Sequence, residues 1–176
     1  MGYRRIILLF ITFLSLMPCF GANSEPPSEY REIDLRIVPA MDLFMASPSS
    51  YKNAFSIGGH VSYFLKPSFG IDMFYQFSQY DPTDLHRAGA GPIFKILDLR
   101  YMRFEVSANA AYMRILGYNR VSWGATGFLS YPFKKASFSP FIGPVVSYQY
   151  SHVPGDNLKT LTLGLQLSLT GKADLI

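Results

Sequence analysis

Few residues of this chain have the type and spacing that chemistry needs. Its three histidines, His60, His86 and His152, stand far apart, and no two have metal-ligand spacing. The single cysteine, Cys19, lies in the opening apolar run. Gly89 and Gly91 make a Gly-x-Gly in "GAGP", but no helix follows to present amides to a phosphate. The stretch "DPTDLH" at 81–86 offers two carboxylates and an imidazole to a weakly held cation, yet its composition is that of a turn. No catalytic residue, metal site or cofactor is therefore expected. What remains is a set of polar side chains of both signs: Asp34, Arg36, Asp42, His60, Asp72, Gln76, Lys95, Arg103, Glu105 and Asn109. Brought together they would pair into a plug, or line a narrow path for ions.

A scaffold must bring them together. The chain of 176 residues suits one domain. Its start, "MGYRRIILLFITFLSLMPCFGA", has a basic end, a short apolar run and small residues at Gly21 and Ala22, the form of a secretory signal. Pro18 before Cys19 departs from the lipoprotein cleavage pattern, so a plain signal peptide over 1–21 is expected. A polar leader over 22–31, a barrel over 32–170 and a tail over 171–176 would follow. Without Arg4 and Arg5, 14 lysines and arginines face 12 acids, which leaves no basic footprint for nucleic acid. An exported chain without its one cysteine has no disulfide.

Beyond the leader, segments of about ten residues with period-two patterning are bounded by Gly, Pro, Asn, Asp and Ser. Eight such strands are expected, over 32–43, 54–65, 69–80, 87–97, 100–113, 121–133, 138–151 and 158–170. Short turns at "KPS", "DL" and "KKAS" alternate with longer stretches at "FMASPSSYKN", "DPTDLH", "ILGYNR" and "HVPGDNLK". That alternation predicts an all-β, eight-stranded antiparallel up-and-down barrel, closed so that no edge is exposed.

In the last strand Leu161, Leu163, Leu165, Leu167 and Leu169 form one face, and Thr162, Gly164, Gln166 and Ser168 the other. Phe104, Val106, Ala108 and Ala110 likewise alternate with Arg103, Glu105, Ser107 and Asn109, and Ile33, Leu35, Ile37 and Met41 with Asp34, Arg36 and Asp42. A soluble periplasmic lipocalin-like binder would place the leucines inside. The polar face decides against it, because it is mostly Gly, Ser, Thr, Gln and Ala, which suit a narrow lumen better than an aqueous exterior. The leucines then face lipid, and strands of this length cross a membrane when tilted. Tyr63, Tyr75, Tyr80, Tyr101, Tyr112, Tyr131, Tyr148, Tyr150 and Trp123 lie toward strand ends, where girdles belong. Pro39, Pro92, Pro140 and Pro144 each remove a ladder donor, so bulges or strand ends are expected there.

On these residues, and on "GAGPIF" at 89–94 and "SPFIGPVVSYQY" at 139–150, the chain resembles the small eight-stranded outer-membrane proteins of the OmpA and OmpX type. The resemblance implies residence in the outer membrane and contact with its lipid and lipopolysaccharide. It also implies recognition of the last strand by the barrel-assembly machinery, with Thr162, Gly164, Leu167 and Leu169 as the signal. The tail "GKADLI" departs from the group's frequent terminal aromatic residue. A lipid A-modifying enzyme on the same kind of barrel would use a histidine near His152, a serine two residues on and an acid in the next strand. Here Pro154 stands at the serine's place, and 158–170 holds no acid. The expected function is non-enzymatic, an envelope-structural role or surface contact through the outer loops, and the alternatives are, in order, a narrow, porin-like pore, a lipid A-modifying enzyme and a soluble periplasmic lipocalin-like binder.

Overall fold

Eight amphipathic strands leave every ladder satisfied only if the last one pairs with the first. The computed structural model describes residues 31–46, 53–79, 84–115, 117–132, 138–153 and 156–172. They form β1 (Glu32–Ala46), β2 (Ala54–Lys66), β3 (Phe69–Gln79), β4 (Leu85–Leu99), β5 (Met102–Ile115), β6 (Tyr118–Pro132), β7 (Phe138–Val153) and β8 (Asp156–Lys172). Each strand pairs antiparallel with the next and β8 pairs with β1, which closes the expected eight-stranded barrel. The segment 1–30, with Cys19 and the expected signal peptide, lies outside the described residues, as does Tyr80.

Six strands outrun their period-two patterns, β2 by a single residue, while β3 stops one residue short and β5 keeps its expected length but is shifted two residues on, because the turn expected at "DL" lies at 100–101. The stretch "ILGYNR" is not a long loop: Ile115 pairs with Tyr118, and Gly117 takes φ 76°, the positive value a two-residue hairpin needs and glycine supplies at least cost. "HVPGDNLK" is likewise mostly strand, with His152 opposite Asn157 and Val153 opposite Asp156. On the same end, 47–52 and 80–83 lie outside the described residues.

The prolines correct a second expectation. Register shifts occur between Phe44 and Ala46, Phe64 and Lys66, and Lys95 and Leu97, and none of them is at a proline. Pro39, Pro92 and Pro144 instead sit inside strands where one ladder skips without changing register. Pairing passes from Ile37–Leu167 to Ala40–Gly164, from Ala90–Ala110 to Ile93–Ser107, and from Phe128–Val145 to Tyr131–Ile142. Pro140 alone lies near a strand end. The glycine before two of these prolines has a packing reason. A Cβ on Gly91 would collide with the Ala108 carbonyl oxygen, and one on Gly143 with that of Leu129. The backbone closes where the donor is missing, and only glycine leaves room.

Outward and inward faces separate as the sequence predicts. Leu163, Leu165, Leu167 and Leu169 are exposed on the outside, Leu161 partly so, while Thr162, Gln166 and Ser168 are buried inside. Ile37 and Leu165, 58% and 57% exposed, belong to an apolar exterior that includes Leu35, Met41, Phe55, Ile57, Val61, Ile71 and Met73. Toward the hairpin end of β5 and β6 this belt is edged by Tyr75, Tyr112, Trp123 and Tyr148, and toward the other end by Tyr101 and Tyr131. Trp123 and Tyr131 on β6 are about 26 Å apart along the strand, or about 20 Å of depth at a barrel tilt of about 40°. That is close to the height of a membrane-facing band.

Candidate functional site: the barrel interior

All ten polar residues singled out from the sequence are buried in the interior. The structure divides them into layers. Near the N-terminal end of β1, Lys95 Nζ donates to Glu32 Oε1 at 2.6 Å and Arg103 Nη1 to the same oxygen at 2.9 Å. Arg103 also reaches Asp34 at 3.3 Å and, through Nε, Asp98 at 3.3 Å. One layer on, Arg36 donates to Asp34 at 2.7 Å, Glu105 at 2.6 Å and Ser62 at 2.9 Å. Strands β1, β4 and β5 are thus tied across the lumen. Ion pairs so enclosed hold only when each charge is met, because desolvation costs several kcal/mol per ion.

The network rests on aromatic rings. The Arg36 guanidinium lies 4.4 Å from the centre of Phe128, Lys95 Nζ 4.0 Å from Phe64 and the Arg103 guanidinium 4.9 Å from Phe141. Such cation–π contacts strengthen when shielded from water. Phe64 and Phe128 join Val38, Ala40, Ile93 and Val145 in an apolar cluster inside the barrel. The polar lumen is therefore only partly polar.

Next to it, His60 Nδ1 is 3.0 Å from Asp72 Oδ2, and its ring stacks on Phe74 at 5.4 Å. Ser62 donates to Asp72 at 2.7 Å. Serine, histidine and aspartate are all present, but the acid lies between the other two. A nucleophile needs the histidine in that place to take its proton. His60 borders a space of about 20 Å³, room for about one water.

Toward the other end Asp42 accepts hydrogen bonds from Ser56, Gln76, Ser78 and Thr162, at 3.3, 2.9, 2.5 and 2.5 Å. Arg87 Nη1 stands 3.6 Å from the same carboxylate, and Arg87 Nη2 donates to Thr160 at 2.8 Å. A single carboxylate on β1 thus gathers β2, β3, β4 and the closing strand β8. Asn109, the tenth residue, accepts from Gln149 at 2.9 Å. Beyond this layer Leu85, Met113, Ile115 and Leu158 pack with Phe44 into an apolar cap.

Glu32, Asp98 and Arg87 belong to these networks although sequence reasoning did not select them. Parity would have found two: Glu32 is in phase with Asp34 and Arg36, and Arg87 with Lys95. Gln166, assigned only to the polar face, has a specific task. Its Nε2 donates to the Leu129 carbonyl at 3.2 Å and to Ser130 at 2.8 Å. Leu129 stands opposite Pro144, so Gln166 supplies a donor that proline lacks.

The two outer histidines remain apart. His86 Nδ1 is 2.7 Å from the Tyr75 hydroxyl on the outside of the barrel. His152 Nδ1 is 3.0 Å from Asn157 Oδ1, to which Tyr150 also donates. Strand β8 does begin with an acid, Asp156, contrary to expectation, because the strand starts two residues earlier than its pattern. Among the described residues no group of three or more His, Cys, Asp or Glu is arranged to hold a metal.

These features define a small eight-stranded transmembrane β-barrel with a filled interior. Its fold is similar to that of the N-terminal β-barrel domain of Pseudomonas aeruginosa OprF, at 15% identity and a TM-score of 0.55, over 80% of this chain and 99% of that one. Neisserial surface protein A gives 14% identity and a TM-score of 0.48, over 81% and 97% of the two chains. Ail of Yersinia pestis gives 14% and 0.43, over 80% and 99%. No protein-family model and no curated protein matches the chain.

Proposed function

We propose that this chain is an integral outer-membrane barrel that works with a closed lumen, in envelope structure or surface contact, and not as an enzyme. The observation that carries this reading is the filling of the interior. An ion-paired layer around Arg36 and Arg103, an apolar layer around Phe128, a second polar layer around Asp42 and an apolar cap at Leu85 and Met113 follow one another along the axis. Ions would have to break buried pairs and then cross an apolar constriction. The exterior supports contact with lipid and lipopolysaccharide, and Thr162, Gly164, Leu167 and Leu169 on the closing strand would be read by the assembly machinery. A ligand would meet the protein at its outer loops.

Planar-bilayer recording tests the closed lumen. Protein whose insertion is confirmed by its altered gel mobility before boiling should give no sustained ohmic current. Stable open-channel steps from the unmodified chain would establish the pore instead.

A further inference from the structure

The outer face of β3, β4 and β5 carries a groove that the closed lumen does not explain. It has a volume of about 270 Å³ and is lined by Tyr75, His86, Ala88, Tyr112 and Arg114, together with Arg87, which is itself almost fully buried. Its shape follows from register. Tyr75 pairs with Ala88 and Ala88 with Tyr112, so two large exposed rings flank a methyl group. One row toward the membrane centre, Ala90 faces Ala110, and Met73 and Trp123 stand on either side. One row outward, His86 faces Arg114, with Cα atoms about 5 Å apart in such a pair. The floor is low and apolar, the walls aromatic, and the outer rim cationic.

The rim has spare hydrogen-bonding capacity. Arg114 is exposed and has no hydrogen bond or ion pair among the described residues. His86 is held through Nδ1 by Tyr75, and when that hydroxyl donates, Nε2 carries the ring proton and points it to another acceptor. Tyr75, Tyr112 and Trp123 belong to the aromatic edge of the apolar belt, so the rim lies at headgroup depth and the floor at the depth of acyl chains. Two connections at the rim end are two residues long, but 47–53 and 80–84 give that end the greater total of connecting chain against 67–68, 100–101 and 133–137 at the other, and on the outer-membrane reading the longer side is the outer leaflet.

We propose that this groove seats one phosphorylated glycolipid of the lipid A class, with a phosphate on Arg114 and His86 and an acyl chain over Ala88 and Ala90. The assignment rests on the outer-membrane reading above. Arg114 offers the planar fork that matches a phosphate, and the aromatic walls replace the neighbouring lipid chains.

The test uses the unmodified chain, Arg114→Glu and Ala88→Phe, each inserted into phosphatidylcholine nanodiscs containing diphosphorylated lipid A, dephosphorylated lipid A or phosphatidylglycerol. Lipid retained after release is counted by native mass spectrometry. The unmodified chain should keep one diphosphorylated lipid A about tenfold better than either variant, the scale of losing one charge-assisted contact. It should keep the other two lipids no better than the variants do. Equal retention by all three chains would overturn the site, and equal retention of phosphatidylglycerol would overturn the glycolipid assignment. Insertion is read on the same samples by gel mobility. Failure of the unmodified chain to insert would overturn the membrane reading and the site together, which separates that outcome from loss of the site alone.

Discussion

Replacing Arg36 by alanine should cost about 3–5 kcal/mol of barrel stability, the scale of leaving buried charges unpaired. Arg36 meets Asp34 and Glu105 at 2.7 and 2.6 Å, and both carboxylates are nearly inaccessible to water. Arg103 compensates only in part: it already serves Glu32 and Asp98, and it reaches Asp34 at 3.3 Å but Glu105 only at 3.9 Å. Urea unfolding in detergent micelles measures the loss. Arg36→Met combined with Glu105→Leu should recover part of it, because an apolar pair fits the cluster of Phe64, Phe128 and Val38 and leaves only Asp34 to be met. A loss below about 1 kcal/mol, the value of an exposed pair, would mean that water reaches the network.

The second large effect belongs on the outside. Leu165→Arg should lower folding stability in lipid by about 2–4 kcal/mol, the cost of a cation on a barrel exterior near the bilayer midplane. Leu165 is outward-facing and lies midway between Leu161, opposite Tyr148, and Leu169, opposite Pro140. Arginine at Tyr101, 68% exposed in the 100–101 turn, should cost about 1 kcal/mol or less, since the penalty fades toward the interface. Equal costs at the two depths would contradict a lipid-facing belt. Gln166→Glu is not a neutral comparison, despite its lumen position, because a glutamate loses the donor that Leu129 uses beside Pro144.

Most of the architecture was legible from period two. Along β5 and β8 the alternation of Arg103, Glu105, Ser107 and Asn109 with Phe104 to Ala110, and of leucine with small polar residues, reproduces the faces found. The extension of β5 to β8 at their outer ends was less visible, because Gly117 and Pro154-Gly155 are turn residues that mark a long loop and a short connection equally well. The interior was half legible. Charged residues announce themselves in an otherwise uncharged face, whereas Val38, Phe74, Phe128 and Val145 look like exterior residues until parity places them inside. The layering of charge on aromatic rings depends on which strands face each other across the lumen, and cross-lumen neighbours such as Arg36 and Phe128 leave no local pattern.

The central claim is that the leucine face meets lipid and the alternate face a closed interior. Spin labels on single cysteines at 162, 163, 165, 166 and 167, in a Cys19-free chain inserted into liposomes, test it most directly. Collisions with oxygen, which concentrates in the bilayer, should be frequent at 163, 165 and 167 and rare at 162 and 166, and a water-soluble nickel complex should reach none of the five. Access of the nickel complex to 163, 165 and 167 would put the leucine face in water and contradict the account.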